Sequence, residues 1–116
     1  MNYPIHITSA AQSDIANASD YVEFILKNPK AVDDLLDHIE LKINTLSDFP
    51  ENSDFPEKYP LVKDTFLASH GIRFIPVKNY LVFYIISKEN NQVVIVRFLY
   101  AKSNWMSILK QDFVTI

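Results

Sequence analysis

At 116 residues, with 48 % apolar and 22 % charged side chains, the chain is expected to form one folded domain, residues 1–116, and not a disordered segment. It has no cysteine and one glycine, which excludes disulfides, thiolate chemistry and glycine-rich phosphate cradles, so no nucleotide cofactor is expected. Its net charge of −3 argues against high-affinity binding of RNA or DNA by the chain alone, because neutralising phosphates demands a basic excess.

Residues 1–6 show no basic stretch followed by an apolar run, and no run approaches the ~20 apolar residues of a membrane span, so a cytoplasmic protein without a signal peptide is expected. Residues 3–8 alternate and read as a first strand. Ser9 and Gln12 have the spacing of a capping box, and Ala11, Ile15, Ala18, Val22 and Ile25 or Leu26 then recur at helical spacing up to Lys27. Asn28 and Pro29 close that helix and open another, with Asn28 as N-cap and proline in the first turn. Val32, Leu35, Leu36, Ile39, Ile43 and Leu46 give the second helix a wide apolar stripe, and the short break makes the two helices an antiparallel hairpin.

From residue 47 to about 59 the periodicity stops, and Ser47-Asp48-Phe49-Pro50-Glu51 is repeated as Ser53-Asp54-Phe55-Pro56-Glu57. The repeat reads either as two proline-anchored turns or as a partner-binding loop presenting Phe49 and Phe55. Residues 65–68 then read as a second strand, 72–77 as a third, Lys78-Asn79 as a two-residue turn, and 80–87 and 92–100 as a hairpin around Lys88-Glu89-Asn90-Asn91. Residues 80–86 are apolar on both faces, which places them at the sheet centre and calls for cover beyond two helices. Pro76 belongs on an edge or at a bulge, since it cannot donate to a ladder. Ser103 or Asn104 caps a short last helix carrying Trp105, Ile108 and Leu109. The order predicts an α+β fold, an antiparallel β-sheet with an N-terminal helical hairpin on one face and a short C-terminal helix.

Few polar residues interrupt the sheet. Arg73 either holds a phosphate or partner carboxylate bidentately or pairs with an acid such as Asp64 or Glu89. Arg97 breaks an otherwise apolar strand, sharing by alternation the face of Val93, Ile95 and Leu99, and must reach a carboxylate, a carbonyl, solvent or a ligand; a structural ion pair is favoured. Tyr80, Tyr84 and Tyr100 read first as core rings with bonded hydroxyls and second as proton carriers. Lys78 and Lys102 read as solvated unless they cluster with Arg73 and His70. His6, His38 and His70 follow no metal-ligand spacing, so no metal is expected, and Asp33, Asp37 and Glu40 share one solvated helix face.

The ordered set Gly71-Ile72-Arg73, Val77-Lys78-Asn79-Tyr80, Val82-Phe83-Tyr84, Leu99-Tyr100 and Asn104-Trp105, following Asn28-Pro29-Lys30-Ala31, resembles the RelE/ParE superfamily of toxins from type II toxin–antitoxin systems. The resemblance covers nearly the whole chain and implies a toxin held by a cognate antitoxin whose extended segment wraps it. One branch cleaves messenger RNA on the ribosome with clustered cations and a late tyrosine; the other inhibits DNA gyrase without catalytic residues. Here Leu81, Ser103 and Trp105 occupy positions where the ribonuclease branch implies an arginine, a basic residue and the late tyrosine. The ParE-like gyrase inhibitor is therefore the preferred expectation, with an mRNA interferase or a non-toxic antitoxin-binding relic as alternatives. If the chain is an enzyme, Arg73, Lys78, Tyr80, Arg97 and Lys102 are the candidate catalytic residues; Arg73, Tyr84, Arg97, Tyr100 and Trp105 are those expected to meet a partner.

Overall fold

Strands apolar on both faces need cover on both, and the computed structural model, in which residues 3–47 and 62–114 are described, provides it from two directions. The elements are β1 (Ile5–Ile7), α1 (Ser9–Asp20) running into a π-helical turn (Tyr21–Ile25), α2 (Pro29–Ser47), α3 (Thr65–Ser69), β2 (Arg73–Val77), β3 (Tyr80–Ser87), β4 (Gln92–Tyr100) and α4 (Trp105–Val114). The sheet order is β1-β4-β3-β2. β2, β3 and β4 are antiparallel neighbours, whereas β1 runs parallel to β4, so the sheet is mixed and not wholly antiparallel as the sequence suggested. A parallel partner needs a long crossover, and everything between β1 and β4 serves as one.

The α1/α2 hairpin covers one face, with Ala11, Ala18, Leu35 and Ile39 buried against Val82, Tyr84 and Ile95. The second core, around Leu67, Ile72, Phe83, Leu99 and Leu109, lies on the other face beneath α3 and α4. The apolar second face thus finds its cover within the chain. Pro76 is exposed on β2, an edge strand, where its missing N–H costs no ladder bond.

Several local expectations hold. Asn28 Oδ1 accepts from the Ala31 N–H at 3.2 Å, capping α2 ahead of Pro29. The Lys78-Asn79 turn pairs Val77 with Tyr80, and Lys78 takes the left-handed conformation at φ 57°. Others are corrected. The cap of α1 is Thr8, not Ser9: its Oγ1 accepts from the Ala11 N–H at 3.1 Å, and Gln12 Nε2 donates instead to the Ile7 carbonyl. Ile25 and Leu26 do not continue the buried stripe, because the π turn carries them outward while Val22 stays buried.

Residues 65–68 form helix α3, not a strand. Asp64 Oδ2 accepts from the Leu67 N–H at 3.1 Å, and the helix closes with Gly71 N–H to Ala68 O (2.9 Å) and Ile72 N–H to Leu67 O (3.3 Å). That pair of bonds is a Schellman closure, which requires a left-handed residue, and the chain's one glycine fills the position at φ 75°. Ser47, which opens the repeated Ser-Asp-Phe-Pro-Glu segment, is the last residue of α2, and the rest of the repeat, with Phe49 and Phe55, lies within residues 48–61, outside the described residues.

Candidate functional site

Arg97 stands where β4 loses its neighbour. β1 pairs only with Val93, Val94 and Ile95, so the outer edge of β4 is open beyond that point. Polar groups of the segment entering α1 close it. The Thr8 N–H donates to Ile95 O at 3.1 Å, Thr8 Oγ1 donates to Val96 O at 3.0 Å, and Asp14 Oδ2 accepts from the Phe98 N–H at 3.1 Å. Asp14 also accepts from Arg97 Nε at 2.6 Å and from its second terminal nitrogen at 2.9 Å, a bidentate pair. The other terminal nitrogen reaches Asp112 of α4 at 3.1 Å. The Asp14 hydrogen bond, ahead of the other contributions, holds the guanidinium above its ordinary pKa. Arg97 therefore ties β4, α1 and α4 together.

The faces of the sheet separate the cations. Phe83 opposes Arg97 while Tyr84 opposes Ile95, so Val96 is an extra residue and β4 is bulged there. The bulge breaks simple alternation: Arg97 leaves the face of Val93 and Ile95 and joins that of Phe83 and Leu99. Directly opposed residues share a face. Arg73, opposite Tyr84, therefore projects from the hairpin face, and Arg97, opposite Phe83, from the α4 face. Lys78 Nζ lies 2.9 Å from Asp34 Oδ2 on α2, and Lys102 is exposed beyond β4. Asp64, one acid the sequence offered to Arg73, instead meets Lys110 at 2.9 Å. Tyr84 is fully buried in the hairpin-side core, while half-buried Trp105 packs its ring on Phe83, centroids 5.1 Å apart.

Tyr80 and Tyr100 do come together, with residues the sequence did not single out. A groove of about 540 Å³ is lined by Tyr21, Val22 and Leu26 from the π turn and its end, Asn79 and Tyr80 from the β2–β3 turn, and Tyr100 from the end of β4. The Tyr80 ring stacks on Phe98 at 4.8 Å and meets Tyr100 edge-on at 5.6 Å. Asn79 O accepts from the Ala101 N–H at 2.8 Å, fixing the end of β4 to the turn. Burial first, then the phenols of Tyr100 and Tyr21, hold the Tyr80 hydroxyl above its ordinary pKa, the direction that disfavours service as a base. Among the described residues no cluster of three or more His, Asp or Glu side chains is placed to hold a metal ion, and no helix is long and apolar enough to cross a membrane.

The arrangement, a four-stranded mixed sheet between a helical hairpin and a short terminal helix, is the fold of the RelE/ParE superfamily. A chain of the chromosomal ParDE toxin–antitoxin system of P. aeruginosa superposes with a TM-score of 0.63 at 13 % identity, covering 86 % of this chain and 97 % of that one. A chain of the RelBE2 toxin–antitoxin complex of Mycobacterium tuberculosis gives 0.50 at 17 % identity, covering 86 % and 99 %. No curated protein sequence matches. Residues 5–105 match the family described as the ParE toxin of type II toxin–antitoxin systems, parDE, and the chain belongs to that family.

Proposed function

We propose that this toxin is neutralised in the cytoplasm by a cognate antitoxin and, when free, arrests growth by binding and inhibiting DNA gyrase without cleaving RNA. The observation that carries the reading is the separation of the sheet cations. Metal-free cleavage of a phosphodiester needs several cations and a proton carrier within hydrogen-bond reach of one phosphate. Here Arg73 and Arg97 project from opposite faces, Arg97 is engaged by Asp14 and Asp112, and Lys78 is engaged by Asp34. Leu81, Ser103 and Trp105 supply neither charge nor a mobile proton, and the raised pKa of Tyr80 opposes a role as base. An antitoxin partner is supported by family membership and by the toxin–antitoxin complexes from which the similar folds come.

Induction of the chain alone is expected to block growth, and co-expression of the adjacent small gene to restore it. Purified chain is expected to inhibit gyrase-driven supercoiling of relaxed plasmid, with cellular transcripts intact at early times. Codon-phased cleavage of a reporter message within minutes, on translating ribosomes and with supercoiling unaffected, would establish the ribonuclease instead. An innocuous chain that still co-elutes with the neighbouring product would mark a binding relic.

A further inference from the structure

We infer that the tyrosine groove and the acidic flank of α2 beside it form one docking surface for a protein segment that sets a bulky apolar side chain next to arginine or lysine. Tyr21 and Leu26, 50 % and 56 % exposed, line the groove with Tyr100, which is 42 % exposed, and Phe24 and Ile25 beside them on the π turn are 64 % and 65 % exposed. Single exposed apolar residues are ordinary on a surface; a contiguous set around a groove is not. The π turn causes it. Leu26 N–H bonds to Tyr21 O at 3.1 Å, a five-residue closure that leaves Val22 in the core and turns its neighbours outward, and such turns recur at functional sites.

Charge selects the occupant. Residues 9–47 carry seven carboxylates and three lysines, a net −4, so the rest of the chain is +1 against the total of −3. A second groove of about 510 Å³ is lined by Asn28, Lys30, Ala31, Asp33, Asp34 and Asp37. Asp34 is paired with Lys78, whereas Asp33 and Asp37 hold no ion pair among the described residues. The two grooves adjoin: Lys78 precedes Asn79 of the first, and Leu26 of the first lies two residues before Asn28 of the second. An acidic segment would bring carboxylates against Asp33 and Asp37. A second copy of this chain, docking through the same surface, would set −4 against −4. Anionic lipid and nucleic acid are opposed by the same sign. A basic, apolar protein segment satisfies both grooves at once, with an anchor among the tyrosines and a guanidinium or ammonium on the aspartates.

The test uses the full-length chain and two labelled amphipathic peptides of identical apolar pattern, one with arginine at its polar positions and one with glutamate. In fluorescence anisotropy the arginine peptide is expected to bind, more weakly as salt rises. Tyr100→Ser, and Asp33→Asn combined with Asp37→Asn, are each expected to weaken binding about tenfold, in the range of an interface anchor. Met106→Ser, an exposed apolar change on α4, should leave it unaltered. Melting curves verify that each variant is folded. Equal binding of the glutamate peptide, indifference to salt, or unchanged affinity in the Tyr100 and aspartate variants overturns the inference. Supercoiling inhibition is a separate measurement, so failure here leaves the gyrase reading standing, and the converse holds.

Discussion

Replacing Asp14 with alanine removes three accepted hydrogen bonds at once, from Arg97 Nε, from an Arg97 terminal nitrogen and from the Phe98 N–H. Only 10 % of the Asp14 side chain and 18 % of Arg97 is exposed, so water does not readily replace what is lost. Breaking a buried ion pair from one side costs about 3–5 kcal/mol, and an orphaned backbone N–H about 1–3 kcal/mol. Asp112 remains to hold the guanidinium and is itself 39 % exposed, which lowers the total. About 3 kcal/mol is the expected destabilisation. For a domain of this size it corresponds to a melting temperature lower by about 10 °C. Asp112→Asn, removing only the exposed arm, should cost no more than about 1 kcal/mol. Combining Asp14→Leu with Arg97→Met leaves only the exposed Asp112 without its partner and should recover part of the loss, though the Phe98 N–H stays unpaired. Urea unfolding followed by circular dichroism reads all of these. Were Asp14→Ala within about 1 kcal/mol of the native chain, the edge-closing role assigned to Asp14 would be refuted. Were Arg97→Gln to abolish gyrase inhibition with the melting temperature unchanged, Arg97 would belong to the functional surface and not to the architecture.

Two further outcomes follow from the titrating groups. The hydrogen bond from Lys110 holds the Asp64 carboxyl below its ordinary 3.8, so its contribution is present at neutral pH and is lost as pH falls through 3.8 towards the lower folded value; melting temperature from pH 6 to pH 2.5 should fall less steeply in Asp64→Asn than in the native chain. The Tyr80 phenol, raised by burial and by Tyr100 and Tyr21, should ionise above its ordinary 10 in a 295 nm titration that compares the native chain with Tyr80→Phe, and Tyr100→Phe should bring it back towards 10, while Tyr80→Phe should leave gyrase inhibition intact.

What the sequence made legible was local. Asn28 and Pro29 announce a helix start by chemistry that acts within one turn, and Ala31 bonds to Asn28 as that chemistry requires. The two turns of the sheet were legible because short polar runs, Lys78-Asn79 and Lys88-Glu89-Asn90-Asn91, part the apolar strands, and in the structure Lys78 and Asn91 take the left-handed conformation there. The four residues 65–68 were ambiguous, since so short an apolar run fits strand or helix; Asp64 before it and Gly71 after it were the discriminating signs. The partners of Arg97 lay beyond local reading. Asp14 is 83 residues away in sequence, and a bulge at Val96, which no periodicity displays, changed the face from which the arginine leaves. A buried arginine does imply a carboxylate, but the sequence offers fourteen. The groove was hidden for a related reason: Val22 and Leu26 fitted a helical stripe, and the π turn instead sets Leu26, with Tyr21, beside Tyr100.

The shortness of β1 links these features. Three residues pair with β4, after which the chain must turn into α1, leaving the rest of a nine-residue strand with an open edge. An open edge is satisfied by another strand or by side chains. This chain uses side chains, and Thr8 and Asp14, less than two turns apart on the entry to α1, are placed to reach it. Asp14 cannot lie there alone, since a carboxylate so little exposed needs a cation, and Arg97 meets it from the bulge. Arg97, for which the sequence favours a structural ion pair, is thus demanded by the way the sheet ends. Three residues further along β4, about 10 Å at the rise of an extended strand, Tyr100 carries no such obligation and stands exposed at the groove. Architecture and recognition therefore occupy successive stretches of one strand, so substitutions at Tyr100 can alter binding while the clasp that holds β4 to α1 and α4 remains intact.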